Sequence, residues 1–164
     1  MNGIAARLRL WTLVVGALLA WPTAAAADLT AFLGLTSTPD VRLARGLAAG
    51  GGLVIVAFET ELARIGEDTT ESRPGLTTVM GNVLIQTPAA IGGVQLYGTS
   101  GLGVYRERLG EVSETALAAN IGGGVKIGVA GPLKLRLDYR LFRLRGSPIH
   151  DVYHRAYAGA TLGF

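Results

Sequence analysis

The chain has 164 residues, with 15 Lys plus Arg against 12 Asp plus Glu, 24 Gly and no Cys. An apolar fraction of 49% excludes a disordered polymer, and the missing thiols exclude a disulfide scaffold or a cysteine metal site. The formal charge of +3 raises the question of nucleic acid, and the first residues answer it.

Arg7 and Arg9 precede an apolar stretch, Leu10–Leu19, and Ala24-Ala25-Ala26-Ala27 then leads into Asp28. This is the charged, apolar and small-residue order of a secretory signal peptide, assigned to residues 1–27. The apolar core is about ten residues, half of what a spanning helix needs. Without this segment the chain keeps 13 of its basic residues and all 12 acidic ones, so no nucleic-acid partner is expected.

From Asp28 onward the signal is alternation. Leu29–Thr36 and the Gly-rich Ala44–Leu53 are placed as strands by position more than by pattern. Val54–Arg64 sets Val56, Phe58 and Leu62 against Glu59 and Glu61, and Leu76–Thr87 sets Val79, Val83 and Ile85 against Thr78, Asn82 and Gln86. Val94–Glu107 opposes Val94, Leu96, Leu102 and Val104 to Gln95, Tyr97, Thr99, Tyr105 and Glu107. Thr115–Val129 opposes Leu117, Ala119, Ile121, Val125, Ile127 and Val129 to Glu114, Asn120, Gly122, Gly124 and Lys126. Leu133–Leu141 is the plainest case, with Leu133, Leu135, Leu137, Tyr139 and Leu141 on one parity and Lys134, Arg136, Asp138 and Arg140 on the other. Tyr153–Phe164 closes the series. A helix would scatter these charges around its circumference, whereas a strand collects them on one face.

Eight strands result. Longer links are predicted at Ser37–Leu43, Gly66–Gly75, Arg108–Ser113 and Gly146–Asp151, and tighter ones near Leu53, Pro88–Ile91 and Ala130–Pro132. Long links at one end and short ones at the other describe an all-β, antiparallel, up-and-down barrel. Residues 28–164 form this one domain.

Alternation alone does not say which face is inside. A soluble periplasmic barrel binding an apolar ligand would bury the leucines, and a transmembrane barrel would turn them to lipid. Strands of about ten residues suit a bilayer crossing. The polar parity carries Glu59, Glu61, Glu107, Glu114 and Asp138 against Lys126, Lys134, Arg136, Arg140 and Arg155, the balance of charge that a closed lumen requires.

The last segment, Tyr157-Ala158-Gly159-Ala160-Thr161-Leu162-Gly163-Phe164, combines a Gly with two outward apolar residues and a terminal aromatic. It resembles the C-terminal assembly signal of bacterial outer-membrane proteins, carried here by Tyr157, Gly159, Leu162 and Phe164. With the export signal and eight strands, the chain resembles the small outer-membrane β-barrel family of OmpA membrane-domain and OmpX shape. The resemblance implies a bacterial outer-membrane location, the barrel-assembly machinery as a partner during insertion, outer-membrane lipid and lipopolysaccharide as surroundings, and a monomer. Eight strands leave a lumen filled by its own side chains, so a plugged barrel with a structural or surface-interacting role is expected in place of a general porin, with no cofactor and no metal.

Two rim features carry possible chemistry. Arg106, Arg108, Arg143 and Arg145 fall near the outer loops, where they would meet lipopolysaccharide phosphates. Ser113, Glu114, Ser147, His150, Asp151 and His154 also collect there, and some eight-stranded outer-membrane enzymes remodel lipid A. The deacylase arrangement has a Ser two residues after the His, and His154-Arg155-Ala156 departs from it. The expectation is a protein that is not an enzyme, with lipid A modification as the alternative.

Overall fold

The computed structural model describes residues 26–37 and 40–164. The proposed signal segment lies outside them except for Ala26 and Ala27, which open the first strand. Eight strands follow in order: β1 (Ala26–Ser37), β2 (Val41–Gly52), β3 (Val56–Ile65), β4 (Gly75–Gln86), β5 (Val94–Leu109), β6 (Val112–Ala130), β7 (Leu133–Leu144) and β8 (Val152–Gly163). Each pairs antiparallel with its neighbour, and β1 pairs with β8 from Asp28↔Gly163 to Thr36↔Arg155. Backbone hydrogen bonds between Ala27 and Phe164 (2.8 and 3.3 Å) extend this seam to the chain's last residue.

The barrel is polar inside and apolar outside. Leu102 and Phe58 are 74% and 64% exposed, while Arg136 and Arg140 are 1% and 0% exposed. A soluble barrel needs the reverse, so the periplasmic alternative is overturned and the fold is a transmembrane barrel. The sidedness follows from the strand pleat, which sends alternate side chains to opposite faces. On β7, Leu135, Leu137 and Tyr139 therefore meet lipid while Arg136, Asp138 and Arg140 enter the lumen.

The links after β3 and β7 are long, as expected at Gly66–Gly75 and Gly146–Asp151, and others differ from expectation. The predicted long connection at Arg108–Ser113 is a two-residue turn, because Leu109 pairs with Val112 and Gly110 takes a φ of +60°, a left-handed conformation open to glycine. The predicted long link at Ser37–Leu43 is shortened, since β1 reaches Ser37 and β2 begins at Val41. In contrast, the link after β4 runs from Thr87 to Gly93 and uses positive φ at Gly92 and Gly93. Gly131-Pro132 is tight, as predicted.

Large side chains fill the lumen because small ones face them. A Cβ at Gly124 would collide with the Tyr97 hydroxyl, and one at Gly46 with the Phe32 ring. The outer half holds an apolar cluster that includes Ile65, Leu76, Met80, Tyr105, Phe142 and Leu144.

Two outcomes follow. Unheated protein in SDS should migrate apart from boiled protein, as a closed barrel that resists the detergent does; coincident bands would contradict closure. Gly46→Val should destabilise the barrel by about 1–3 kcal/mol through overpacking against Phe32, measured by urea unfolding from lipid vesicles.

Candidate functional site

The middle of the lumen is built from β3, β7 and β8. Glu59 and Glu61 are two apart on β3, Arg136, Asp138 and Arg140 alternate along β7, and Arg155 lies on β8. Strand alternation puts all six inward, where three acids meet three bases.

Arg136 pairs with Glu59 and, at 2.9 Å, with Asp138. Arg140 reaches Glu59 (2.9 Å) and Asp138 (3.0 Å), and its Nη1 lies 2.9 Å from Glu61 Oε2 as an ion-pair contact without hydrogen-bond alignment. Arg155 completes the chain at 2.7 Å from Glu61. Tyr97 and Tyr157 donate to Asp138, the latter at 2.8 Å, while Arg136 donates to the Tyr97 hydroxyl at 2.7 Å. Asn82 donates to Glu59 at 3.3 Å and accepts from Asn120 at 2.8 Å. Burying any one of these charges unpaired would be costly, so each is retained by its neighbours.

The other predicted lumen charges stand apart from this cluster. Lys126 and Lys134 share Asp28 at the end where the termini meet, at 2.5 and 3.4 Å. Glu107 and Glu114 pair with no cation among the described residues. Glu107 accepts from the Ile149 amide (3.0 Å) and the Tyr153 hydroxyl (3.4 Å), and Glu114 from the Ser147 amide (2.6 Å) and the Tyr105 hydroxyl (3.4 Å). These two glutamates tie the β7–β8 loop to the barrel mouth. Sequence reasoning missed Asp28 and Arg42 as inward charges; Arg42 holds the Pro74 carbonyl at 2.6 Å.

The outward parity of the strands carries Arg45, Arg64, Arg106, Arg108 and Arg143 and, among the described residues, no carboxylate. Register places Arg45 opposite Arg64, Arg64 opposite Thr77 and Thr77 opposite Arg106, so three arginines lie along one row around the barrel. Arg106 and Arg143 are exposed, and their side chains make no hydrogen bond or ion pair among the described residues. Arg108 lies 3.7 Å from Glu67, and Arg145, just past β7, contributes its carbonyl to Tyr105 at 2.8 Å. Arg45 and Arg64 went unassigned from sequence, although they share a parity with Leu47 and Leu62.

The rim residues considered for catalysis are dispersed. His154 faces outward and hydrogen-bonds Tyr139 at 2.6 Å. His150 sits edge-on to Tyr153. The Asp151 carbonyl accepts from the Leu144 amide at 2.7 Å. No hydrogen bond links a Ser, a His and a carboxylate among the described residues of this set.

A closed antiparallel barrel with lipid-facing leucines and a neutralised ionic lumen is an eight-stranded barrel of the outer-membrane type. No family model matches the chain, and no curated protein matches it. Among solved structures, it is similar to Neisserial surface protein A, with 15% identity over 85% of this chain and 96% of that one and a TM-score of 0.68. It is also similar to the N-terminal β-barrel domain of Pseudomonas aeruginosa OprF (16% identity, 87% and 99% covered, TM-score 0.63). A third similar structure is the outer-membrane enzyme PagL (11% identity, 82% and 98% covered, TM-score 0.53). At these identities the likeness is one of fold, and the fold is shared by an enzyme.

The lumen network generates a double-mutant prediction. Glu59→Ala and Arg136→Ala should each destabilise the barrel by about 3 kcal/mol, because each leaves a buried charge short of a partner. The double variant should cost less than the sum by about 1–3 kcal/mol, measured by urea unfolding in vesicles; strict additivity would mean the two side chains do not interact.

Proposed function

We propose that this protein is a monomeric outer-membrane barrel with a structural and surface-interacting role, held to the outer leaflet through its outward arginines, and that it is neither an enzyme nor a general porin. One observation carries this reading: the lipid-facing surface bears Arg45, Arg64, Arg106, Arg108 and Arg143 with no carboxylate among the described residues, whereas the lumen balances its charges. Arg45, Arg64, Arg106 and Arg143 form no ion pair among the described residues, and Arg108 has only Glu67 at 3.7 Å; outward cations with so little protein counter-charge suit phosphate groups, and arginine binds phosphate as a two-pronged fork. Arg106, Arg108 and Arg143 are the residues assigned to lipopolysaccharide phosphates, with Arg145 beside them in the loop.

Insertion belongs to the same reading. The β8 segment carrying Tyr157, Gly159, Leu162 and Phe164 is the stretch proposed to engage the assembly machinery. Tyr157 stacks on Phe32 inside the barrel at 4.2 Å, while Leu162 and Phe164 project outward.

The arginine assignment is tested with Arg106→Gln/Arg108→Gln/Arg143→Gln in vesicles with and without lipopolysaccharide. The native barrel should unfold at a higher temperature when lipopolysaccharide is present, and the triple variant should show a smaller gain, reduced by about 1 kcal/mol per charge removed. An equal gain in both proteins would overturn the assignment. The non-catalytic assignment is tested by the mass spectrum of lipid A from cells with and without the protein, which should be the same; a new acylation state would establish the lipid A-modifying alternative. In planar bilayers no porin-sized current steps are expected.

A further inference from the structure

Strands β8, β1, β2 and β3 enclose a groove of about 710 Å³ on the lipid-facing side of the barrel. Its size falls in the range of ordinary ligand clefts, about 300–1,000 Å³. Register defines its layout. One row runs Ala158, Leu33, Arg45, Arg64, and the next row toward the termini runs Ala160, Ala31, Leu47, Leu62. Ala158, Ala160 and Ala31 thus make the floor on β8 and β1, Leu33, Leu47 and Leu62 stand above it on β1, β2 and β3, and the two arginines cap the side nearer the outer loops.

Arg45 and Arg64 are directly opposed across strands, an arrangement that is unfavourable for like charges. Neither side chain makes an ion pair or hydrogen bond among the described residues. The groove therefore presents an apolar trough ending in a concentrated positive charge with nothing of its own to neutralise it.

We infer that this groove binds one lipid A moiety of lipopolysaccharide, with an acyl chain over Ala31, Ala158 and Ala160 and a phosphate between Arg45 and Arg64. The inference rests on the outer-leaflet placement proposed above and adds a discrete site to it. A second copy of the chain fits less well. Two copies inserted in one membrane share an orientation, so the same arginines would face each other at one level, and the outward face of the strands offers no carboxylate among the described residues to separate them. The occupant must bring the negative charge, and the outer leaflet supplies it as phosphate.

The test is native mass spectrometry of the intact barrel, refolded in micelles and supplied with purified bisphosphorylated lipid A. The native protein should retain one lipid A. Ala31→Phe, which fills the floor, should retain none, and Arg45→Gln/Arg64→Gln should bind about thirtyfold more weakly. Leu102→Phe, which adds the same bulk on β5 away from the groove, should retain the lipid. Phosphate-free lipid A and phosphatidylglycerol should each be held more weakly than the bisphosphorylated form. Ala158→Phe repeats the test from the facing strand if Ala31→Phe loses its heat-dependent shift in SDS. Undiminished retention by the filled variants would overturn the groove, as would particles holding two copies of the chain and no lipid. Because the filled variants keep Arg106, Arg108 and Arg143, failure here leaves the arginine assignment above to stand or fall on its own thermal measurement.

Discussion

Hydrocarbon offers no hydrogen-bond partner to a backbone amide, and the rest of this structure depends on that fact. An open sheet would leave the edges of β1 and β8 unpaired at a cost of several kcal/mol per group. Joining β1 to β8 removes both edges and fixes a small cylinder whose interior has to be occupied. Each strand then answers to two solvents, lipid on one parity and a crowded lumen on the other.

The lumen solves its filling problem with charge in the middle and apolar bulk toward the outer loops. Glu59, Glu61 and Asp138 interlock with Arg136, Arg140 and Arg155, and the tyrosine hydroxyls of Tyr97 and Tyr157 take up part of the remaining capacity. Such a network adds little net stability over a well-packed apolar core. Its effect is on uniqueness, since a register slip of one residue would drive Arg136 and Arg140 into lipid and bring Leu135 and Leu137 inside. The charge pattern thereby opposes every slip by an odd number of residues.

Much of this was legible in the sequence, and its legibility varied with side-chain contrast. Along Leu133–Leu141 leucine alternates with full charges, so the strand and the division of its residues between two faces could be read directly. Along Ala44–Gly52 alanine and glycine are nearly indifferent to face, and β2 was placed only by its position. The outer apolar cluster was not read, because Phe142 and Leu144 invert the polarity of β7: after Leu141 the apolar residues turn inward and Arg143 turns out. Asp28 and Arg42 escaped because they sit at strand ends, outside the segments where alternation was counted. Arg45 and Arg64 escaped for another reason, since their pairing is a matter of register between strands and no single strand displays it.

The seam also governs the order in which the molecule can form. Thr30 meets Thr161 through their hydroxyls at 2.8 Å, a contact that spans 131 positions of the chain. The hairpins from β1 to β8 are local and can form early, but this last pairing closes nearly the whole chain into one loop and carries the corresponding entropic delay. Until it forms, two strand edges are open to pairing with other chains. Loop-closure entropy therefore places the β1–β8 pairing late in the formation of this barrel, and the interval before it is when the open edges invite aggregation.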